Sequence, residues 1–231
     1  MPPYAYLEGT HIVLRKARET DWLSMWKNVW GDEEVYRWML FQPTLTEEEA
    51  RERCRRSIQY QQDHLAWFVA LKETDEAMGL CAIRENDPGH FEEAGIGIGT
   101  KYQGRGYGKE IVALLLELAF RDLGAEDLRY GYFRENEKSR KVAESFGFVY
   151  DRSEEITRPW DGAVKTIDSC LLTRESFLVR RQTDKKRELF LSQKHTLDLF
   201  LERGAISQAQ YDKSLGDLIR KMGMLSGTHP M

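Results

Sequence analysis

The chain is short of cysteine, and what it has is badly placed for any shared task. Cys54, Cys81 and Cys170 are its three. They lie far apart and are odd in number, which excludes a C-x-x-C metal site and any disulfide framework using all of them. What remains is reduced, buried thiols in a cytoplasmic protein. Long apolar runs are also missing. The longest, IVALLLELAF at 111–120, is interrupted by Glu117 and far too short to span a bilayer. MPPYAYLEGT at the N-terminus has neither the basic n-region nor the apolar h-region of a secretory signal, so a soluble cytoplasmic protein is expected. Nor is there a surplus of positive charge. With 34 Lys and Arg against 38 Asp and Glu the net charge is −4, which argues against a nucleic-acid binder as a whole while leaving room for a local basic patch. No repeat or low-complexity tract is visible.

The 231 residues, 41% hydrophobic and 31% charged, suit one full-sized domain plus a smaller appendage. HIVLRKA (11–17) alternates as a first strand. Trp22, Trp26 and Trp30 fall four apart on one helical face, as a core stripe or as the wall of an aromatic pocket. Thr46 and Glu49 have capping-box spacing and open a helix to about residue 63. Strands follow over 65–73 and 77–85 as a hairpin turned at TDE, then NDPGH breaks the pattern before the glycine-rich strand EEAGIGIGT (92–100). KEIVALLLELAFRDLG is the strongest helix, stopped by Gly124. DLRYGYF (127–133) is a strand, Asn136 caps a helix ended by Gly147, and FVYDR and AVKTIDSCLLT complete the sheet around the turn RPWDG. Near residue 180 the composition shifts. RRQTDKKRE reads as a charged linker leading into two amphipathic helices joined at Gly204, the second capped by Ser207 and Gln210. The expected division is a domain over 1–180 and a helical hairpin over 184–231.

Between the glycine-rich strand and the strongest helix lies KYQGRGYGKE (101–110), with Gly104, Gly106 and Gly108 at alternate positions. Glycine serves where the backbone takes positive φ or something approaches closely. A turn that opens a helix can converge unpaired amides on an anion, and Arg105 adds charge, so a phosphate is the first inference. The nucleoside-triphosphate loop fails, because Glu110 follows Lys109 and the early glycine would fall on Gln103. The dinucleotide fingerprint also fails, its last glycine falling on Lys109 or Ile111. Gln-x-x-Gly-x-Gly fits, with Gln103, Gly106 and Gly108.

Over residues 8–178 the chain resembles the GNAT N-acetyltransferases, in the branch of the ribosomal-protein N-terminal acetyltransferases. The resemblance rests on that loop, the strand EEAGIGIG before it, the long helix after it, and an Asn136-x-x-Ser139 helix ending in Phe146-Gly147-Phe148. It implies a mixed α/β fold (α+β in some schemes), with a mostly antiparallel twisted sheet flanked by helices, here with a C-terminal helical hairpin. It implies acetyl-CoA as donor, no metal, and attack by a primary amine on the thioester. The amides of Gly104, Arg105, Gly106, Tyr107 and Gly108 would hold the coenzyme A pyrophosphate after Gln103, with Arg105 or Lys109 screening its charge. The backbone N–H of Ile96 or Ile98 would meet the acetyl oxygen beside the pantetheine arm. Asn136 would hydrogen-bond that arm, and Arg140 or Lys141 would meet the 3′-phosphate. Glu93, or Glu92, is the carboxylate expected to act on the amine; both could equally be solvent-facing acids. Many members place a tyrosine seven residues beyond the Asn. Here that position is Ala143, and Ser139 matches the branch in which a serine protonates the leaving thiolate; Tyr107 and Tyr132 are further donors.

For the acceptor, Glu85, Asp87, Glu92 and Glu93 suit a cation: a protein N-terminus, a polyamine or an aminosugar-like molecule. Trp160 and Asp161 could line its pocket or simply form a turn. Ala143 leaves a rival open, a non-catalytic acyl-CoA-binding sensor or scaffold. The hairpin, with stripes including Leu197, Leu201, Tyr211, Leu215, Leu218, Ile219 and Met222, could dock on its own domain, form a homodimer contact or bind a partner.

Overall fold

The computed structural model describes residues 4–223, and these divide into two compact units between Arg174 and Glu175. In the first, β1 (Tyr6–Glu8), β2 (Ile12–Arg15), β3 (Ala66–Leu71), β4 (Ala77–Asp87), β5 (His90–Ile98), β6 (Asp127–Phe133), β7 (Val149–Thr157) and β8 (Val164–Thr173) form one sheet. The strand order is β1-β2-β3-β4-β5-β6-β8-β7. Every pairing is antiparallel except that of β5 with β6. β1 escapes the sequence pattern because three residues carry no period. NDPGH is no break between elements; Asp87 pairs with His90, and Pro88-Gly89 makes the hairpin turn with Gly89 at φ 80°.

The tryptophan stripe lies on α1 (Trp22–Met25) and a π-helical turn, Trp26–Trp30. Gly31 N–H closes the wide turn on Trp26 C=O at 2.9 Å. Trp30 is buried at 1% exposure beside Met25 and Phe68. Trp22 and Trp26 are half-buried and stacked, with ring centroids 6.4 Å apart. The stripe is therefore core and its margin. A short α2 (Glu33–Tyr36) follows, then α3 (Glu47–Asp63), whose reciprocal Thr46–Glu49 capping box is formed. Helix α4 (Tyr107–Glu117) continues as a π turn through Asp122. Arg174 caps that end, donating to Ala125 C=O and Phe120 C=O at 2.8 Å each. Helix α5 (Glu137–Ser145) starts at Asn136, whose Oδ1 accepts from Ser139 N–H at 3.1 Å. Burial is densest along β3 and α4, where Trp67, Phe68, Val69, Ile111, Leu115 and Leu116 are almost free of solvent. The three cysteines are free and buried.

In the second unit, α6 (Arg174–Glu202) and α7 (Gln208–Met222) are joined at Gly204, φ 68°. Residues 180–188 are helix rather than linker. They hold neither Gly nor Pro, long charged side chains are good helix formers, and Arg180 pairs with Asp184 one turn on. The Ser207–Gln210 capping box is formed. Asp198 accepts from Lys194 Nζ at 2.9 Å and from the Tyr211 hydroxyl at 2.6 Å. Residues 224–231 of the expected hairpin lie outside the described residues. Among those described, no helix is long and apolar enough to cross a membrane.

Candidate active site

The site begins where two strands part. β5 and β6 are paired only over His90–Glu92 and Asp127–Arg129; beyond that rung β5 stays with β4 and β6 stays with β8. β5 bends through a bulge in which Ala94 and Gly95 together oppose one residue between Cys81 and Ile83. Gly95 supplies the positive φ of 123°. Beyond the bulge, Gly99 donates to Met78 C=O at 2.8 Å, in register with Leu80↔Gly97 and Cys81↔Ile96. Facing and averted residues alternate along an antiparallel pair. Ile96 and Ile98 therefore turn their N–H and C=O groups away from β4, toward the opening. The Ile98 C=O is met there by the Gln103 side-chain N–H at 3.0 Å.

Gln103 starts the turn into α4. Its other amide atom, Oε1, accepts from Lys138 Nζ of α5 at 2.9 Å, so its side chain braces the turn between β5 and α5. Gly104 and Gly106 have φ of 77° and 85°, with open space where a Cβ would stand. Gly106 is the N-cap and has no side chain to satisfy the first amides of α4. Unpaired amides at such an open helix N-terminus form a cradle of the shape and polarity that suit an external anion. Gly108 needs no positive φ; its role is close packing, with Ile98 Cδ1 3.7 Å from its would-be Cβ. Arg105 and Lys109 are exposed at the rim, and Tyr107 is half-buried against His11 at 6.3 Å. Glu110 fixes the helix to the sheet, its Oε1 accepting from His11 N–H at 2.7 Å and Ile12 N–H at 3.3 Å.

Between the parted strands lies a cavity of about 520 Å³. One wall is Trp38, Met39, Leu40 and Phe41; others come from Arg84, Glu92–Ile96, Arg129–Phe133, Asn136, Ser139, Glu154, Ile156, Ile167 and Ser169. Glu93 stands at the fork. Burial pushes its carboxyl up to about 7, against the pull of the Gly95 and Gly131 N–H groups that hydrogen-bond it and with Glu92 adding to the rise. Glu92 is ion-paired with Arg84, so the two acids are chemically unlike. Ser139 Oγ lies 2.9 Å from the Tyr130 hydroxyl. Tyr132 faces Cys170 Sγ at 3.6 Å.

The expected site residues do not all converge. Glu93, Ile96, Asn136 and Ser139 share the cavity, with Ile98 and the turn of 103–109 at its strand end. Arg140 pairs with Glu144 at 3.4 Å and Lys141 with Glu137 at 3.8 Å on the exposed face of α5. Glu85 and Asp87 do not line the cavity; Glu85 accepts from Gly89 N–H in the hairpin turn. Trp160 and Asp161 also stand apart. Asp161 pairs with Arg158, which holds it at about 2, and Trp160 packs edge-on against Tyr36 at 5.8 Å. Tyr130, Arg129, Glu154 and the 38–41 wall were missed. Tyr130 lies in the alternation of DLRYGYF, where a phenol and a core ring look alike; the wall carries no period at all. Ala143 is buried at 1% exposure in α5.

The acetyltransferase (GNAT) domain family matches residues 11–149. The chain belongs to the GNAT acetyltransferases. It is thus an acetyltransferase enzyme, of a family that uses acetyl-CoA. A relative from Bacillus licheniformis named uncharacterized N-acetyltransferase p20 is 27% identical over 139 residues, 58% of this chain and 75% of that protein. Among solved structures, a GNAT enzyme from Brucella melitensis superposes with a TM-score of 0.68 at 22% identity, covering 78% of this chain and 84% of its own. The ribosomal-protein-S5-alanine acetyltransferase from Vibrio fischeri gives 0.58 at 18% identity, covering 74% and 98%. These likenesses support the fold.

Proposed function

We propose that this GNAT enzyme moves the acetyl group of acetyl-CoA to a primary amine that enters the cavity between β5 and β6. The observation that carries the reading is the cradle at Gly104 and Gly106, open at the N-terminus of α4 and braced by Gln103 beside the parted strands. Amides and a positive helix end fit a diphosphate, with Arg105 and Lys109 at the rim to screen it. Acetyl-CoA supplies an activated acyl carbonyl and a thiol leaving group. Around it the chain's own groups divide the work. The averted N–H groups of Ile96 and Ile98 are donors for the carbonyl oxygen as charge builds on it. Glu93, titrating near 7, takes the proton that the attacking amine sheds. Ser139, lining the same cavity, would meet the departing sulfur, and Asn136, which caps α5 and also lines the cavity, would hold the pantetheine arm.

The charges around the cavity narrow the choice of acceptor. With Glu92 neutralised by Arg84, and Glu85 and Asp87 away from the cavity, attraction for a cation rests on Glu93 and Glu154. Beside the apolar 38–41 wall, that pair suits one ammonium group on a partly apolar carrier. A protein N-terminus fits this better than a polyamine with its several charges. The buried thiols suit a reducing compartment such as the cytoplasm. The test is calorimetry with coenzyme A, followed by thiol release from acetyl-CoA with N-terminal peptides, spermidine and glucosamine. Binding with release on the peptides supports the reading. Absence of binding by well-folded protein overturns it, and binding without release on any amine favours a sensor.

A further inference from the structure

Ser139 does not stand alone in the cavity. The Tyr130 hydroxyl, brought in by β6, lies 2.9 Å from its Oγ. Both residues line the same space as Glu93 and Asn136. The phenol is held in place: Tyr130 is buried at 4% exposure, and its ring packs on Phe148 at 5.5 Å and Tyr132 at 6.4 Å. The serine backbone is held as well, its N–H donating to Asn136 Oδ1 at 3.1 Å.

A hydroxyl can donate once and accept through its oxygen. In a phenol–alcohol pair the phenol is the stronger donor and the poorer acceptor, because its oxygen lone pair is shared with the ring. The preferred direction is therefore Tyr130 O–H to Ser139 Oγ. Burial drives Tyr130 above its usual range, with the Glu93 charge adding to the rise, so the phenol keeps its proton throughout the working pH range. Left to itself, a serine in the first turn of a helix can spend its hydrogen on a nearby backbone carbonyl. With its oxygen engaged by Tyr130, the hydrogen of Ser139 is free for the cavity.

We propose that Tyr130 is a positioning residue that aims the Ser139 hydroxyl at the departing sulfur. This rests on the acetyl-transfer reading given above. The balance closes without any other reactant. The C–N bond forms and the C–S bond breaks, sulfur keeps the electron pair, the proton shed by nitrogen passes to Glu93 and on to solvent, and the thiolate, held by the Ser139 hydrogen bond, takes its proton from solvent. Tyr130 ends each cycle as it began.

The test uses the full chain and coenzyme A itself as probe, so no acceptor has to be known. Ultraviolet absorbance of the thiolate, titrated against pH, gives the acidity of the bound thiol. A hydroxyl donated to sulfur favours the thiolate, and losing that bond raises the thiol pKa by about one unit. Ser139→Ala and Tyr130→Phe are each expected to do this, the double variant no more than either alone, while coenzyme A affinity stays within about threefold. Tyr130→3-fluorotyrosine keeps the shape and strengthens the donor, so it lowers the thiol pKa; it decides the matter should the phenylalanine variant fold poorly. A shift with Ser139→Ala alone, and none with either Tyr130 variant, overturns the positioning role. No shift with any variant that still binds coenzyme A removes Ser139 from the sulfur as well. Failure of the unaltered protein to bind coenzyme A strikes the acetyl-transfer reading instead.

Discussion

Gln103 donates its side-chain N–H to the C=O of Ile98 at 3.0 Å while accepting from Lys138 at 2.9 Å. One amide thus joins the end of β5, the start of the anion cradle and the first turn of α5. β5 and the glycine turn, to which the proposed function gives the thioester and the diphosphate, are held in one geometry by these two bonds. Gln103→Ala removes both. The bond to Ile98 is worth about 1 kcal/mol and that from the charged Lys138 about 1.5–3; with part of this reaching the cradle, coenzyme A affinity is expected to fall roughly five- to thirtyfold, with a small loss of melting temperature. Gln103→Glu keeps the Lys138 bond but sets a carboxylate against the Ile98 C=O and beside the anion cradle, so it should fall at least as far as Gln103→Ala. Equal affinities for all three proteins would show that the brace does not shape the cradle.

Gly104, Gly106 and Gly108 look equivalent in the sequence and are not. Gly106 sits at φ 85° with open space around it, whereas Gly108 has ordinary helical geometry. A side chain at 106 meets no neighbour, but the left-handed backbone costs about 1–2 kcal/mol, and its Cβ would project into the space the diphosphate needs. Gly106→Val is expected to lower coenzyme A affinity at least tenfold. Gly108→Ala should bind nearly normally, since its new methyl comes only within van der Waals reach of Ile98 and Val142. Calorimetry on the two variants separates a conformational demand from a mere preference for small residues.

Glu93 should leave a pH signature in both rate and stability. Its folded pKa is about 7, raised from 4.5 by burial. The folded state therefore holds this proton more tightly than the unfolded chain does. The stability it lends is full below about 4.5 and is lost as the pH climbs through 7. Glu93→Gln, which cannot ionise, should melt higher than the natural protein at pH 8 and show little gain at pH 4. A base must be ionised to work, so the natural rate should rise through pH 7 and level off, and Glu93→Gln should lose that limb. Glu92→Gln should keep the limb but move it to lower pH, because the Glu92 charge adds to the rise at Glu93. A variant at 93 with the natural pH profile would remove this carboxylate from proton transfer.

How much of this was legible beforehand depended on whether a feature is local. The capping boxes at Thr46 and Ser207, the strand DLRYGYF, the Asn136 cap and the glycine turn are set by a few neighbouring residues, and each is formed as the spacing implies. The parting of β5 from β6 is made by long-range strand pairing, which no short stretch of sequence displays. Its bulge falls at Ala94–Gly95, the first glycine of the run. Charge partners were not legible. Nothing in the row Glu85, Asp87, Glu92, Glu93 says that Arg84 cancels one acid and burial lifts another, because both effects are made by cross-strand register and the fork. Tyr130 meets Ser139 only once β6 and α5 are packed. Residues 180–188 misled for a different reason: density of charge resembles a linker, yet those side chains favour helix as well as solvent.

The acceptor wall should be separable from the cofactor turn through Arg158. This buried guanidinium donates to Arg37 C=O at 2.7 Å and pairs with Asp161. It also stacks over Trp160 at 4.1 Å. The chain continues from Arg37 directly into Trp38–Phe41, which wall the cavity. Arg158 thus anchors the base of that wall from the β7–β8 turn, far along the chain. Arg158→Met keeps the bulk and loses the charged hydrogen bond, worth about 1.5–3 kcal/mol when donor or acceptor is ionised. Part of that loss appears as wall mobility. The expected outcome is a severalfold rise in KM for whichever amine supports turnover, a smaller fall in kcat, and coenzyme A affinity within twofold of normal. Matched losses of amine and coenzyme A binding would mean that Arg158 holds the whole domain rather than the wall.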